Sequence, residues 1–370
     1  MISNKSIGKL GFGFMRLPKL NDEFDCSQID EMVELFIENG YSYFDTAYIY
    51  DGSEDMLKRT LVNRYPRDAF QISTKMPIYM LESGEMLNEI FNTSLNRLGT
   101  EYIDYYLLHG IDGAQNDKAE ALGVWEFISE KKAEGLVKHI GFSFHGSPED
   151  LETIIRKHPE TEFVQLQINY IDWDSEDIQS KRLYEIAQQY EKPIIVMEPV
   201  KGGLLASEES RIADIFRSAD SQVSIASWAM RFAASLDGVE VVLSGMSSVE
   251  QLVDNIRTMQ SVEKFNKHEM SLVAQAKDVL NKTCRIQCTK CNYCIKNCPK
   301  NINLPQLIEL YNDYLTYATI SNLKHMYDFF TEDGSKASTC VSCHACENRC
   351  PQKLNIVELM PTIADIFDKD

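Results

Sequence analysis

Short apolar runs rich in β-branched and aromatic residues recur along the first part of the chain and alternate with stretches of helical periodicity. Eight runs have this character: Leu10–Phe14, Tyr41–Thr46, Phe70–Thr74, Ile103–Leu108, His139–Ser143, Phe163–Gln167, Pro193–Met197 and Val239–Leu243. Between them lie helix-like segments such as Gln28–Asn39, followed by Gly40, and Glu85–Leu98, followed by Gly99. Strand and helix in strict alternation predict a parallel sheet of the α/β class, and eight units predict a (β/α)8 TIM barrel.

An open doubly wound sheet is the competing interpretation of this alternation. That fold commonly carries a G-x-G-x-x-G turn after its first strand. Here Gly11-Phe12-Gly13 is followed by Phe14-Met15-Arg16, so the third glycine is missing. The barrel is therefore preferred.

Cysteine usage divides the chain in two. Eight of the ten cysteines lie beyond residue 285. The intervening segment Leu304–Phe330 is rich in Leu, Tyr and Ile at helical spacing, which predicts a small α-helical domain. We expect a barrel over residues 1–270 and a small, cysteine-rich helical domain over residues 271–370.

Composition narrows the possible partners. With 44% hydrophobic and 25% charged residues the chain is typical of globular proteins. The net charge of -19 gives no electrostatic source for binding nucleic acid. We find no apolar run long enough to span a membrane and no signal-peptide stretch, so we expect a cytoplasmic protein whose clustered cysteines bind metal.

Polar residues follow three successive predicted strands. The second strand leads into Asp45 and then Tyr50, the third into Lys75, and the fourth into His109. In a barrel these strand ends meet at one face, where catalysis is located. We expect the four side chains to converge.

Together these residues can donate a proton to a carbonyl. A phenol with a pKa of about 10 is a weak acid, and the ammonium of Lys75 is expected to lower that pKa. Asp45 would keep a buried Lys75 charged, and His109 would orient the substrate oxygen. Because such a site lacks an electron source, it implies a hydride-carrying cofactor.

The motifs Asp45-Thr46-Ala47-x-x-Tyr50, Ser73-Thr74-Lys75 and Leu107-Leu108-His109 resemble the aldo/keto reductase superfamily. The resemblance implies that Tyr50 is the general acid, that Asp45 and Lys75 tune it, and that His109 positions the carbonyl. It also implies a nicotinamide site. The residues expected around the nicotinamide ring and its carboxamide are Met15, Arg16, Ser143, Gln165 and Met197.

The rest of the coenzyme has weaker counterparts. The pyrophosphate is expected along the loop that contains Val200 and Lys201, and Asn255 matches an adenine-contacting asparagine. Where many relatives place basic residues for the 2′-phosphate of NADP, this chain has Gly245 and Gln251. NADP and NAD are therefore both open, and we expect weak discrimination between them.

Two cysteine runs share one spacing, Cys-x-x-Cys-x-x-Cys-x-x-x-Cys-Pro. They comprise Cys288, Cys291, Cys294 and Cys298, and then Cys340, Cys343, Cys346 and Cys350. This spacing is the bacterial ferredoxin pattern for 4Fe-4S clusters, whereas zinc sites, the alternative, use two separated Cys pairs. We expect two clusters, each taking its fourth ligand from the other run. Cys26 and Cys284 match no motif and are assigned structural roles.

The chain is similar to a subgroup of aldo/keto reductases with a C-terminal dicluster domain. The leading hypothesis is a nicotinamide-dependent oxidoreductase that interconverts a small carbonyl and an alcohol. One alternative is an electron-transfer protein whose barrel binds a partner or metabolite. Another is a Schiff-base lyase with Lys75 as nucleophile. An electron-transfer partner protein for the clusters is left open.

Overall fold

The structure, a computed structural model, describes residues 8–176, 178–208, 210–260, 262–281, 286, 288, 290–317 and 320–369. Its strands are β1 Leu10–Gly13, β2 Lys19–Leu20, β3 Glu23–Phe24, β4 Tyr43–Asp45, β5 Gln71–Pro77, β6 Ile103–Ile111, β7 Val137–Phe144, β8 Phe163–Gln167, β9 Ile194–Met197 and β10 Val239–Gly245. Its helices are α1 Cys26–Glu38, α2 Ser53–Leu57, α3 Met86–Leu98, α4 Gly113–Ala121, α5 Val124–Ala133, α6 Pro148–Lys157, α7 Ser180–Gln189, α8 Ala213–Ala219, α9 Ile225–Ala234, α10 Val249–Met259, α11 Lys267–Asn281, α12 Leu304–Tyr317, α13 Ser321–Phe330 and α14 Ile356–Phe367.

Eight strands close a parallel barrel in the order β1-β10-β9-β8-β7-β6-β5-β4. β1 closes the ring, since Gly13 pairs with Gly245 on one side and with Asp45 on the other. Every predicted apolar run overlaps one of these strands. The predicted TIM barrel is confirmed, and the open sheet is excluded.

The barrel is filled by large side chains from strands around the whole ring. A buried cluster joins five of these strands and comprises Tyr43, Tyr105, Leu107, Phe163, Ile195, Val241 and Leu243. A Cβ atom at Gly11 would lie 2.7 Å from both Val241 and Leu243, so this position needs glycine. The interior is a packed core, which leaves the strand ends for chemistry.

Helix ends follow the expected signals. Gly99 adopts a left-handed conformation (φ 66°) as the C-cap of α3, and Gly40 does the same (φ 83°) just after α1. Ser147 and Asp150 form a capping box at the start of α6. The short antiparallel hairpin β2–β3 was not predicted, because its two-residue strands are too short to show a period.

The chain divides into two compact units. One comprises residues 1–201 and 227–266, and the other comprises residues 202–226 and 267–370. Residues 202–226, which the sequence assigned to the barrel, thus belong to the unit that carries the cysteines. The predicted boundary at residue 270 stays a prediction.

The second unit is helical in its cysteine-rich part, as expected. Tyr327 of α13 stacks on Phe367 of α14 with ring centroids 5.2 Å apart, and the Tyr327 hydroxyl accepts a hydrogen bond from the backbone of Ala337. None of the described helices is long and apolar enough to cross a lipid bilayer.

Candidate functional site

The four candidate catalytic residues lie at the carboxyl end of neighbouring barrel strands. Asp45 is the last residue of β4, Lys75 lies near the end of β5, and His109 lies near the end of β6. Pro77, two residues after Lys75, pairs with His109. Tyr50 occupies the turn between β4 and α2. The structure therefore brings all four together.

A buried ion pair lies at the base of this group. Lys75 Nζ donates to Asp45 Oδ2 and to the carbonyl oxygen of Thr46, each at 2.6 Å. The two side chains are only 2% and 6% exposed. Burial lowers the pKa of Lys75. Asp45 and Tyr50 raise this pKa by more than burial lowers it, so the pKa lies above its ordinary value. The ammonium therefore stays charged.

Tyr50 lies between Lys75 and His109. Its ring centroid is 5.2 Å from Lys75 Nζ and 5.9 Å from the His109 ring, and the two rings are nearly perpendicular. Burial raises the pKa of Tyr50 more than Lys75 lowers it. The expected net lowering is therefore wrong for this structure, because it left out the cost of burying a phenolate. The phenol carries its proton at neutral pH.

His109 is held in its neutral form. Burial, together with the positive charges of Lys75 and His145, lowers the pKa of His109 to about 3. Its Nδ1 atom is buried and has no hydrogen-bond partner within the described part of the chain. A neutral imidazole retains one N–H group, which can donate to a substrate oxygen.

Two buried residues that the sequence analysis missed fix this group. Ser53 Oγ lies 2.6 Å from the Thr46 hydroxyl and donates to the carbonyl of Phe14, which ties the Tyr50 turn to β1. Glu54 accepts a 2.7 Å hydrogen bond from Thr74, the neighbour of Lys75. Ser and Glu are both common near the start of a helix, so no motif marked these two residues as part of the site.

The two residues predicted to bind the carboxamide lie side by side on neighbouring strands. Ser143 of β7 is in register with Gln165 of β8, and Ser143 Oγ accepts a hydrogen bond from Gly110 N–H at 2.9 Å. Gln165 is 2% exposed, yet its Nε2 atom has no partner within the described residues. A buried amide donor without an acceptor is costly. These residues could therefore hold a carboxamide.

Three other predicted ring neighbours surround the same strand ends. Met197 ends β9, next to Gln167 of β8, and is half-buried. Met15 follows β1 and is 59% exposed. Arg16 runs along Gly245, where an added Cβ atom would lie 3.6 Å from the arginine side chain. Arg16 thus lies beside Gly245, the position where the sequence predicted no charge for a 2′-phosphate.

Lys201, the predicted pyrophosphate partner, is bound to a buried acid that the sequence analysis missed. Lys201 Nζ donates to Asp172 Oδ1 at 2.7 Å, while Asp172 Oδ2 accepts from Gln167 and Asn169. Asn169 also donates to the carbonyl of Glu198. Both Glu198 (φ 54°) and Lys201 (φ 49°) have left-handed backbones. Asp172 and Asn169 therefore hold a strained loop that includes the half-buried Val200.

The predicted adenosine residues cluster where β10 passes into α10. Asn255 Nδ2 donates to Ser244 Oγ at 2.9 Å, and Asn255 is 5% exposed. Gln251 Oε1 accepts from the Ser247 N–H, and the Ser248 hydroxyl caps the helix at Gln251. The Gln251 side chain is thus already used in shaping the turn.

The eight clustered cysteines line two separate cavities, and each cavity draws on both runs. The first is lined by Cys288, Cys291, Cys294 and Cys350. The second is lined by Cys298, Cys340, Cys343 and Cys346. Each set contains three cysteines of one run and the last cysteine of the other.

The two runs repeat each other in backbone conformation. Their four cysteines follow the same order of exposure: half-buried, exposed, buried, half-buried. Left-handed residues recur at matching positions: Lys290, Asn292 and Asn301, and then Ser342, His344 and Lys353. The two runs therefore turn at equivalent positions around their cysteines.

Hydrogen bonds to two helices anchor these runs. Asn312 of α12 accepts from the N–H of Ile286 and donates to its carbonyl, just before Cys288. Glu347 accepts from the N–H of Val357 at the start of α14. Neither residue was identified from the sequence.

Within the described residues, no three His, Cys, Asp or Glu side chains converge closely enough to chelate a single metal ion. Ligands of a four-iron cluster stand further apart than those of one ion, because each binds a different iron. Cys26 is half-buried at the start of α1, and Cys284 lies outside the described residues.

Comparison with protein families agrees with both halves of this geometry. The aldo/keto reductase family matches residues 9–278, and the 4Fe-4S dicluster domain matches residues 287–355. The two ranges match the barrel and the cysteine runs. The chain therefore belongs to the aldo/keto reductase family, a family of oxidoreductases, and carries a C-terminal 4Fe-4S dicluster domain.

Similar curated proteins include a probable aldo-keto reductase 1 from Glycine max, 31% identical over 45% of this chain and 49% of its own length. An aldo-keto reductase from Mycolicibacterium smegmatis is 30% identical over 36% of this chain and 45% of its own length. The chain thus spans about half the length of these two relatives. An uncharacterized oxidoreductase from Bacillus subtilis is 26% identical over 69% of this chain and 88% of its own length.

Solved structures share the fold. The holo form of an aldo-keto reductase from Bacillus halodurans superposes with a TM-score of 0.60 at 23% identity, covering 73% of this chain and 92% of the other. An aldo/keto reductase from Klebsiella pneumoniae in complex with NADP and acetate gives a TM-score of 0.59 at 22% identity, covering 72% and 90%.

Proposed function

We propose that the barrel catalyses nicotinamide-dependent interconversion of a small carbonyl compound and its alcohol. The observation that carries the proposal is the buried Lys75–Asp45 pair beneath Tyr50, with neutral His109 beside it. When bound, the nicotinamide supplies a hydride equivalent. Tyr50 gives its proton to the carbonyl oxygen, and the charged Lys75 stabilises the phenolate that remains. His109 donates to the same oxygen and sets its orientation.

The coenzyme residues proposed from the sequence keep their roles. Ser143 and the amide of Gln165, which has no hydrogen-bond partner among the described residues, would hold the carboxamide, with Met15, Arg16 and Met197 around the ring. Val200 and Lys201 would border the pyrophosphate, with Lys201 exchanging Asp172 for phosphate. Gly245, Gln251 and Asn255 would border the adenosine.

Coenzyme preference follows from charge at the adenosine end. A 2′-phosphate needs Arg or Lys, whereas Gly245 and Gln251 are uncharged. We expect NADPH and NADH to bind within about tenfold of each other, about 1.4 kcal/mol. Side-by-side fluorescence titrations test this, and a much larger preference for NADPH would assign Arg16, or Arg257 on α10, to the phosphate.

The buried ion pair disfavours the lyase alternative. A Schiff base requires a neutral amine, but Asp45 holds Lys75 as an ammonium with a raised pKa. Borohydride trapping with carbonyl compounds should therefore label nothing at Lys75. The electron-transfer alternative predicts no nicotinamide oxidation with any carbonyl. A panel of aldehydes and ketones, followed by NADPH absorbance and product analysis, separates it from the reductase.

We also propose that the C-terminal domain holds two 4Fe-4S clusters, one per cavity. Cys288, Cys291, Cys294 and Cys350 would bind the first, and Cys340, Cys343, Cys346 and Cys298 the second. The mixed lining of the two cavities supports this crossover. Anaerobic purification with iron and sulfide analysis tests the number of clusters, since two clusters require about eight iron and eight sulfide ions per chain.

Cluster ligands must be thiolates, and we therefore propose a reducing compartment, the cytoplasm, as the protein's location. Nicotinamide transfers two electrons together, whereas each cluster carries one. We accordingly propose a separate electron-transfer protein as the partner of the clusters.

A further inference from the structure

Charge is segregated between the loops and the helices of the dicluster domain. Residues 282–308 contain five Lys or Arg and no Asp or Glu, and residues 336–353 contain three Lys or Arg and one Glu. We call these two segments the cysteine loops. The helical segments have the opposite sign: residues 309–335 contain five acidic residues and one Lys, and residues 354–370 contain four and one. The positive charge thus collects beside the cysteines.

Much of this positive charge faces solvent. Lys290, Lys296, Lys300, Arg349 and Lys353 are all exposed, and Lys290 forms an ion pair with Glu309. Each lies within three residues of a cysteine that lines a cavity. One cysteine of each cavity, Cys291 and Cys343, is exposed as well.

Apolar side chains are exposed beside these charges. Tyr293, between Cys291 and Cys294, is 61% exposed, and Val341, between Cys340 and Cys343, is 53% exposed. Exposed apolar groups inside a charged rim are typical of an interaction surface. Transient complexes between redox proteins typically bury only a small contact area.

We propose that the cysteine loops form a docking surface for an acidic protein that carries one electron at a time. The inference rests on the proposed clusters. On docking, the reduced carrier loses one electron and a 4Fe-4S cluster gains it, with no bond formed or broken. Clusters held in the two cavities would come closest to the surface at the exposed Cys291 and Cys343, and electron transfer requires such proximity.

The charge of the whole chain supports an acidic carrier specifically. The net charge is -19, while residues 281–370 contain ten basic and ten acidic residues. The surplus of negative charge therefore lies in residues 1–280, which would repel an acidic partner while the loops attract it. Electrostatic complementarity of this kind chiefly raises the association rate.

The competing explanation is that the lysines only offset the negative charge of the thiolate-ligated clusters. It predicts altered reduction potentials and no preference among reductants. Docking predicts a selective change with the acidic protein. The two explanations therefore differ in a measurable way.

The test follows anaerobic reduction of the holoprotein's clusters by stopped-flow absorbance. One reductant is a reduced flavodoxin, an acidic one-electron carrier, and the other is reduced methyl viologen, a small cation. The variant is Lys296→Glu/Lys353→Glu, and the control is Lys181→Glu/Lys267→Glu, which makes the same charge change at exposed lysines outside the loops. Iron content is measured for each protein.

We expect the loop variant to slow reduction by flavodoxin about tenfold at low salt, with the difference shrinking at high salt. Methyl viologen should not be slowed, and the control should behave as the parent. Equal slowing with both reductants, together with a shifted potential, would overturn docking in favour of charge compensation. If the variant loses iron, the parent decides: a flavodoxin rate independent of salt overturns docking. A parent without iron refutes the proposed clusters instead.

Discussion

The barrel and the dicluster domain hold their reactive side chains in different ways. In the barrel, Lys75 and Asp45 lie on paired strands, and Lys75 Nζ is 2.6 Å from Asp45 Oδ2 in a packed core. The cysteines instead lie on loops with left-handed residues, around cavities that the described protein atoms leave open. The barrel site is therefore formed by the fold alone, whereas we propose that the loops complete their packing around bound clusters.

Breaking the buried pair should have the largest effect on stability. Lys75→Met leaves Asp45 buried without a partner, so we expect a loss of about 3–5 kcal/mol in the free energy of unfolding. Urea denaturation measures it. The comparison is Lys201→Met, which also leaves a buried acid, Asp172, but one that keeps hydrogen bonds from Gln167 and Asn169, so we expect a smaller loss. An equal loss in both variants would contradict the importance of burial at Lys75.

Pairs of cysteine substitutions should reveal the crossover. Cys298→Ala with Cys340→Ala removes two ligands of one proposed cluster, so about four irons should remain. Cys298→Ala with Cys288→Ala removes one ligand from each cluster, so iron should fall well below four. Cys26→Ala, outside the runs, should keep full iron. If Cys298→Ala with Cys288→Ala kept about four irons and Cys298→Ala with Cys340→Ala fell well below four, each run would bind its own cluster.

The sequence predicted the barrel and its catalytic end well, because both depend on local periodicity and strand ends. The eight apolar runs gave the strands, and Asp45, Lys75 and His109 followed from their ends. The partners Ser53, Glu54 and Asp172 could not be predicted. Each acts through a contact between different elements, such as Lys201 with Asp172, and no spacing rule encodes it.

The sign of the Tyr50 pKa shift was mispredicted for a related reason. The sequence shows that a lysine is near, but the burial of the phenol depends on the packed structure. The mixed cysteine lining of the two cavities was predictable only because the ferredoxin spacing implies it. The anchor Asn312 has no such motif.

A smaller effect is expected where a helix anchors a loop. Asn312→Ala removes two hydrogen bonds to the backbone of Ile286, which should cost about 1–3 kcal/mol. Thermal unfolding of the anaerobic holoprotein measures the loss. Asn63→Ala, an exposed site in the barrel, serves as control. An unchanged melting temperature for Asn312→Ala would show that the bound clusters alone hold this loop.

A further effect appears as the pH is lowered. Because burial lowers the pKa of His109 to about 3, its protonation opposes folding. Between pH 6.5 and about 3 the unfolded chain binds a proton that the folded chain does not, so stability falls as pH decreases. His109→Gln should flatten this dependence, whereas His325→Gln, at an exposed site, should not. The same pH slope in the parent and in His109→Gln would contradict the neutral imidazole.

The most direct test of the account is the turnover of Tyr50→Phe. Only the proton donor is removed, so kcat/KM for carbonyl reduction should fall about 10²–10⁴-fold. The dissociation constant of NADPH should stay within about twofold. The matched control is Tyr48→Phe, two residues away, where the ring packs against Arg97. Full activity in Tyr50→Phe, or an equal loss in both variants, would contradict Tyr50 as the acid.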